Sequence, residues 1–246
     1  MIKKIRTGIN KLFASVTLLS FELFVALVLF IVAVVAFFAF VYLIFNHQNE
    51  QFDFRVFNQL QNIVSPGLTR LMEFITYTGS HHFLIPANLV LIIYFLFIKK
   101  HKWYSIKIPV IAIGGVSLMS ILKQIFNRPR PLIPLLEPVS GLSFPSGHAL
   151  MSMSFYGLLI FLVWENVKDK TLKWSLTILL SLWILLVGFS RIYLRLHYFS
   201  DVMAGFAAGI IWLSISIWVL RKIERYSRRE IDPLVVEKID PGAQKS

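Results

Sequence analysis

Long apolar segments separated by shorter polar ones dominate the chain. The run from Leu23 to Phe45 contains no charged residue, and it can cross a hydrocarbon core of about 30 Å because a helix rises about 1.5 Å per residue. Similar apolar segments follow at about 83–98, 106–126, 149–164, 172–189 and 202–220. The pattern predicts an all-α membrane protein in which six transmembrane helices form one bundle.

The segments outside these spans have a different pattern. Residues 46–80 mix polar and apolar positions at spacings of three and four, which predicts two short surface helices broken at Pro66-Gly67. The polar loop from Asn127 to Phe144 is rich in proline and joins the third and fourth spans.

The two ends of the chain are basic. Residues 1–20 are mildly amphipathic, which is typical of a helix lying in the headgroup region. The tail after Arg221 is charged, which predicts partial disorder. We therefore divide the chain into an N-terminus (1–20), a six-helix domain (21–220) and a basic tail (221–246).

The composition agrees with a membrane protein and limits the chemistry. Hydrophobic residues make up 57% of the chain and charged residues 15%, whereas soluble domains carry about 25% charged residues. The chain has no cysteine, which excludes disulfides, thiol catalysis and thiolate metal sites and leaves the redox compartment open.

The net charge of +12 follows the loops instead of forming a nucleic-acid-binding face. No recognition motif accompanies the basic residues, so we expect no nucleic-acid partner. They are concentrated before residue 20, at 99–107, at 168–173 and after residue 221. If six helices are threaded, these segments share one side, and the positive-inside rule places them and both termini in the cytoplasm.

Three basic residues belong to the opposite side, which should be poor in positive charge. Lys123, Arg130 and Arg191 lie at the outer ends of two spans or in the loop between the third and fourth. Each alone is explained by a long side chain reaching for the interface. Together they indicate an anionic ligand, and guanidinium and ammonium groups suit phosphate oxygens.

Two further features favour an anion site. Pro145-Ser146-Gly147-His148 opens an apolar run, and such a turn directs backbone N–H groups and the positive end of the helix dipole at one point. On a helix, His197 and Asp201 would share a face because they are four residues apart. A carboxylate can fix the imidazole tautomer. The alternatives are a capping role for His148 and a helix-stabilising contact for the His197–Asp201 pair.

The order of these motifs carries a resemblance. Three motifs follow one another in the chain: Lys123 with Arg130-Pro131, the Pro-Ser-Gly-His sequence at 145–148, and Ser190-Arg191 followed by His197 and Asp201. In this order they resemble the signature of the type-2 phosphatidic acid phosphatase superfamily. That superfamily also includes vanadium haloperoxidases and soluble bacterial acid phosphatases. The resemblance implies a six-transmembrane-helix bundle with an extracytoplasmic active site.

The resemblance also implies roles for the motif residues. His197 would be the nucleophile that forms a phosphohistidine, Asp201 would orient it, and His148 would protonate the leaving alcohol and then activate water. The phosphoryl oxygens would be held by Lys123, Arg130, Ser146, Gly147 and Arg191. Three fixed cations can replace a metal ion, so we expect no metal and no other cofactor.

The implied substrate is a lipid phosphate of the bilayer: phosphatidylglycerophosphate, phosphatidic acid or undecaprenyl diphosphate. The implied location is the bacterial inner membrane, with a periplasmic site. A lipid phosphotransferase, an anion-binding transporter and a vanadate-dependent oxidase are the alternatives. The sequence does not determine which lipid is the substrate, what the oligomeric state is, or what two further arginines do. Arg128 could bind a second phosphate or a headgroup, and Arg195 could pair with Glu137 or contact headgroups.

Overall fold

The structure is a computed structural model that describes residues 2–46, 50–136 and 140–231, with side chains for 24–46, 51–136 and 140–229. Regular structure in these residues is entirely helical. The helices are α1 (Ile2–Phe45), α2 (Glu50–Gln61), α3 (Pro66–Tyr77), α4 (His81–Ile93), α5 (Lys102–Phe126), α6 (Gly147–Asn166), α7 (Lys170–Tyr193) and α8 (Phe199–Tyr226). A π-helical turn extends α4 through Tyr94–Ile98, and another follows α8 at Ser227–Ile231.

Six of these helical segments are long and apolar enough to span a membrane. They are Phe24–Phe45, His81–Ile98, Lys102–Phe126, Gly147–Asn166, Lys170–Tyr193 and Phe199–Arg229. The predicted all-α bundle with six transmembrane helices is therefore confirmed.

The two predicted surface helices are α2 and α3, and the break between them lies just before Pro66. The Ser65 hydroxyl caps α3 by accepting from the Leu68 N–H at 3.4 Å, and Pro66 occupies the first turn, where a missing N–H costs nothing. The Ser65 N–H donates to the Tyr193 hydroxyl at 3.2 Å. This bond holds the start of α3 against the end of α7.

The structure differs from the sequence prediction at both ends of the chain. α1 runs without a break from Ile2, whereas a separate helix was expected over 1–20; its side chains before Phe24 lie outside the described residues. α8 continues to Tyr226, past the predicted end at Leu220. Glu224 in this extension accepts from the buried Lys107 ammonium of α5 at 2.6 Å. Residues 232–246 of the predicted tail lie outside the described part.

α6 and α8 form the centre of the bundle and pack unusually closely. A Cβ at Gly205 of α8 would lie 2.7 Å from the Ser146 carbonyl oxygen, and one at Gly209 would lie 2.7 Å from the Met153 Cβ. α6 also contacts α5 and α7, while α8 contacts α1. The small residues thus let the start of α6 lie directly against the start of α8.

Candidate active site

The ends of four spans meet at one end of the bundle. The Ser146 N–H, at the start of α6, donates to the Asp201 carbonyl of α8 at 2.9 Å. The N–H groups of Leu196 and His197 donate to the Arg191 carbonyl of α7 at 3.1 and 3.3 Å. The Lys123 ammonium, near the end of α5, donates to the Leu142 carbonyl in the long loop. The motif segments predicted to converge therefore lie together.

His197 and Asp201 do not share a helical face, contrary to the sequence prediction. His197 lies in the turn before α8, Tyr198 is the N-cap, and Asp201 is in the first turn of the helix. The Asp201 Oδ2 accepts from the Tyr198 N–H at 2.9 Å, so this carboxylate caps the helix. His197 Nδ1 lies 3.7 Å from Asp201 Oδ2, beyond hydrogen-bond distance.

The Ser143 hydroxyl lies between the imidazole and the carboxylate. It donates to Asp201 Oδ2 at 2.5 Å and lies 3.3 Å from His197 Nδ1. Because its proton is committed to the carboxylate, its lone pair is available to accept from Nδ1–H. This arrangement favours the tautomer that leaves the Nε2 lone pair free.

Three basic residues whose charges act on His197 form the cationic cluster: Lys123, Arg130 and Arg191. Arg130 Nη1 lies 3.4 Å from His197 Nε2 and donates to the Leu196 carbonyl at 2.9 Å. Arg191 Nη1 donates to Thr76 Oγ1 of α3 at 2.7 Å. The surface helix α3 thus helps to hold one member of the cluster.

Two buried polar atoms of the site have no hydrogen-bond partner among the described residues: Ser146 Oγ and Arg191 Nε. A buried unsatisfied polar group is costly. Gly147 begins α6, and the first N–H groups of a helix have no partner within it. Hydroxyl, guanidinium and backbone donors at one place form a site for an anion with several oxygens.

His148 lies in the first turn of α6 and is half-buried. A Cβ added at Gly79, between α3 and α4, would lie 3.4 Å from the His148 Cδ2. His148 is therefore held between α6 and the α3–α4 connection, at the same end of the bundle as the neighbouring Ser146 and Gly147.

The surroundings of His197 favour the neutral imidazole. The ring is buried, with 1% of the residue exposed. Burial lowers the pKa of His197 well below its ordinary value, and the positive charges of Arg191, Arg130 and Lys123 lower it further. A neutral imidazole with a free Nε2 lone pair is the form that can act as a nucleophile.

Arg128, whose role the sequence left open, is buried and paired. Its guanidinium donates to Asp201 Oδ1 at 2.7 Å and to Asp53 Oδ2 at 2.9 Å, and it lies over the Tyr198 ring. Burial opposes its charge, but the two carboxylates outweigh burial and raise the pKa of Arg128. Arg128 therefore faces protein carboxylates. The other undecided arginine, Arg195, is half-buried, and its suggested partner Glu137 lies outside the described residues.

Sequence reasoning missed two members of the site, Ser143 and Asp53. Ser143 stands in a proline-rich loop, where a serine is ordinary. Asp53 lies four residues before Phe57 on α2, and both are buried. An acidic residue on the apolar face of an amphipathic helix was the available signal.

No group of three or more His, Cys, Asp or Glu residues in the described part of the chain could hold a metal ion. The metal-free reaction stays a prediction, because this observation concerns protein ligands alone.

The fold and the site define a class: an all-α integral membrane protein whose spans bring imidazole and basic side chains together at one end. Residues 104–225 match the family model of the PAP2 superfamily, and the chain belongs to this superfamily. Phosphatidylglycerophosphatase B of Bacillus subtilis is 28% identical over 171 residues, which are 68% of this chain and 82% of that protein. An undecaprenyl-diphosphatase of Sulfolobus acidocaldarius is 28% identical over 194 residues, 74% of this chain and 88% of that protein.

Solved structures agree with the sequence relatives. The crystal structure of a transmembrane PAP2-type phosphatidylglycerolphosphate phosphatase from Bacillus subtilis has a TM-score of 0.70 at 25% identity, covering 82% of this chain and 98% of that one. The structure of Aquifex aeolicus LpxE has a TM-score of 0.53 at 30% identity, covering 67% of this chain and 94% of that one. The chain is accordingly a membrane phosphatase of this superfamily.

Proposed function

We propose that this enzyme hydrolyses the phosphomonoester or diphosphate of a membrane lipid through a phosphohistidine on His197. The observation that carries the proposal is the position of the His197 Nε2, which faces Arg130 at 3.4 Å. The same end of the bundle holds two buried atoms without a hydrogen-bond partner among the described residues, Ser146 Oγ and Arg191 Nε. A phosphoryl group bound by these donors would have its phosphorus within reach of the nitrogen.

In the first step the Nε2 lone pair attacks phosphorus and the bond from phosphorus to the lipid oxygen breaks. His148 donates its proton to the departing oxygen, so the lipid leaves as an alcohol or, from a diphosphate, as a monophosphate. The cationic cluster, the Ser146 hydroxyl and the Gly147 N–H stabilise the charge on the three equatorial oxygens. The positive charge on the phosphorylated imidazole is balanced through Ser143 by Asp201.

In the second step His148 accepts a proton from water, the hydroxide oxygen attacks phosphorus, and the N–P bond breaks. Inorganic phosphate leaves and Nε2 regains its lone pair. His148 thus donates one proton in the first step and takes one back from water in the second, and the cycle needs no metal ion.

The names of the relatives support phosphatidylglycerophosphate or undecaprenyl diphosphate as the substrate. Phosphatidic acid, another glycerophospholipid phosphate, is the third candidate. The distribution of basic residues supports a bacterial inner-membrane location with cytoplasmic termini and a periplasmic site. A transporter would have no use for an imidazole held by a serine and a carboxylate. The contacts of Ser143 therefore favour hydrolysis over anion transport.

The test is phosphate release by the purified protein in detergent with EDTA present. Phosphatidylglycerophosphate, phosphatidic acid and undecaprenyl diphosphate are compared side by side. We expect release from at least one lipid, inhibition by vanadate, and a loss of at least about 1000-fold in His197→Ala, because no other group supplies the nucleophile. His82→Ala, which removes an exposed imidazole, serves as the control and should keep full activity. Activity that survives His197→Ala would exclude the phosphohistidine.

A further inference from the structure

The surface helix α2 contributes a buried carboxylate to the start of α8. Asp53 is 2% exposed. Its Oδ1 accepts from the Ser200 N–H at 3.0 Å, and its Oδ2 accepts from the Ser200 hydroxyl at 2.6 Å. A carboxylate on first-turn N–H groups is stabilised by the helix dipole. Asp53 therefore tethers α2 to the first turn of α8, three residues after His197.

Asp53 and Asp201 share one guanidinium. Arg128 binds Asp53 Oδ2 at 2.9 Å through Nη2 and Asp201 Oδ1 at 2.7 Å through Nη1. Nη1 also donates to the Ser200 hydroxyl at 2.8 Å. We call these three residues the Asp53–Arg128–Asp201 network. Since all three side chains are at most 5% exposed, water screens their charges little.

The charge of this network has a consequence for catalysis. One cation and two carboxylates leave a net charge of −1. If Asp53 were absent, Arg128 would neutralise Asp201 alone, and the network would have no net charge to oppose the positive charge that develops on His197. Asp53 thus preserves the negative charge that Asp201 presents, through Ser143, to the imidazole.

We propose that Asp53 is a positioning residue for phosphoryl transfer: it divides the Arg128 charge, so that Asp201 keeps enough negative charge to stabilise phosphorylated His197. This inference rests on the proposed function. Within the described part of the chain, the hydrogen bonds and the ion pair of Asp53 are with Arg128 and Ser200, and none is with the cationic cluster. Its effect is therefore on the transition state and not on binding of the lipid phosphate.

The first test is Asp53→Asn, which keeps an oxygen for Ser200 and removes the charge. We expect kcat to fall about tenfold or more with KM changed less than about twofold, because a buried charge at this range is weakly screened. Asp53→Glu should recover most of the lost kcat. Arg55→Gln is the matched control, since Arg55 is an exposed charge on the same helix, and it should leave both constants unchanged.

The second test is the double variant Asp53→Asn with Arg128→Met, which removes one charge of each sign. It restores the net charge of −1 through Asp201 alone. We expect its kcat to exceed that of Asp53→Asn by at least about threefold, a non-additive result that marks coupling between the two positions. If Asp53 only anchored α2, the second substitution would add a further loss.

The outcomes distinguish a failure of the role proposed for Asp53 from a failure of the proposed function. Phosphate release by the wild type with an unchanged kcat in Asp53→Asn overturns the inference alone. Equal losses in the Asn and Glu variants also overturn it, since both would then report damaged packing. If the double variant does not fold, the comparison of Asn with Glu at position 53 still decides. Failure of the wild type to release phosphate from any lipid or from an aryl phosphate overturns the proposed function and the inference together.

Discussion

At the scale of single residues, the hydroxyl of Ser143 replaces a direct bond between imidazole and carboxylate. Its oxygen lies 2.5 Å from Asp201 Oδ2 and 3.3 Å from His197 Nδ1, while Nδ1 and Oδ2 themselves are 3.7 Å apart. A serine adds no charge to the site. Through this serine, the imidazole is oriented by the Asp201 carboxylate, which Arg128 and the start of α8 already hold in place.

Replacing Ser143 with alanine should therefore lower kcat more than it changes KM. We expect a decrease of about tenfold, because one hydrogen bond to the imidazole and one charged hydrogen bond to Asp201 are lost. Ser117→Ala on α5 is the control, as its hydroxyl is exposed and bonds only to the Ile113 carbonyl. A kcat equal to that of the wild type would show that Asp201 acts on His197 without the serine.

The pH dependence of the reaction should report the charges around His197. Burial and the nearby Arg191, Arg130 and Lys123 lower the pKa of His197, whereas a hydrogen bond with Ser143 opposes them. The nucleophile therefore stays neutral in mildly acidic solution, and the acid limb of kcat/KM should lie below pH 6.5. Arg130→Gln should move this limb to higher pH, because one cation is removed.

The substrate phosphate titrates in the same range, so the two enzymes are compared on one substrate at constant ionic strength. A limb that stays in place in Arg130→Gln would show that His197 is not the titrating group. The lowered pKa also affects folding. The unfolded chain gains a proton on this histidine below about pH 6.5 while the folded chain does not, so stability falls as the pH drops.

The sequence predicts residues of the site better than it predicts their contacts. Lys123, Arg130 and Arg191 could be selected because they fall on the side that the positive-inside rule predicts to be poor in positive charge, and the structure brings them to one end. The relation of His197 to Asp201 could not be predicted, because spacing by four implies a helix and this histidine stands in the turn before it. Asp53 was hidden because its partners, Arg128 and Ser200, are distant in the chain.

At the scale of secondary-structure elements, the close contact of α6 with α8 brings the start of α6, with Ser146 and Gly147, close to the start of α8, which follows His197. A Cβ at Gly205 would lie 2.7 Å from the Ser146 carbonyl oxygen and 2.9 Å from the Ala149 Cβ. Backbone atoms cannot move aside as a flexible side chain does. An added methyl group would therefore push the start of α6 away from His197.

We expect Gly205→Ala to reduce kcat/KM by about 100-fold and to destabilise the protein by about 1–3 kcal/mol, the usual cost of overpacking. Gly67→Ala is a matched control, because a Cβ there meets no atom within 4 Å and alanine is the better helix former. Phosphate release and thermal unfolding in detergent measure the two effects. Equal behaviour of the two variants would show that the spacing of α6 and α8 is not critical.

Helix boundaries show what hydropathy can and cannot locate. The apolar runs located all six spans, but α8 extends past Leu220, and Glu224 in this extension pairs with Lys107 of α5. From the sequence alone, a charged residue such as Glu224 is taken as lying outside the membrane-spanning helix. Its partner Lys107 is more than a hundred positions away in the sequence, so the ion pair could not be predicted.

At the scale of the whole molecule, the six candidate spans of the described residues, threaded one after another, predict that the start of the first span and the end of the sixth lie on one side of the membrane. The connection between α5 and α6 then faces the opposite side from the connection between α6 and α7. The first carries Leu132, which is 95% exposed, and the second carries the exposed Lys168. These two positions can report the orientation independently of any assay of activity.

The chain has no cysteine, so single cysteines can be introduced without background. A membrane-impermeant maleimide added to intact cells should label L132C, while K168C should be labelled only after the membrane is permeabilised. This outcome follows from the excess of basic residues on the Lys168 side. The reverse pattern of labelling would place the site in the cytoplasm.

The makeup of the cationic cluster has one more consequence for how the enzyme works in its surroundings. Lys123, Arg130 and Arg191 recognise negative charge and the arrangement of oxygen atoms. A lipid phosphate shares both features with the inorganic phosphate that is released from it. The ion released in each cycle is therefore also a competitor for the next lipid. At a high concentration of inorganic phosphate the enzyme would therefore hydrolyse lipid phosphates slowly, and at a low concentration it would hydrolyse them fast.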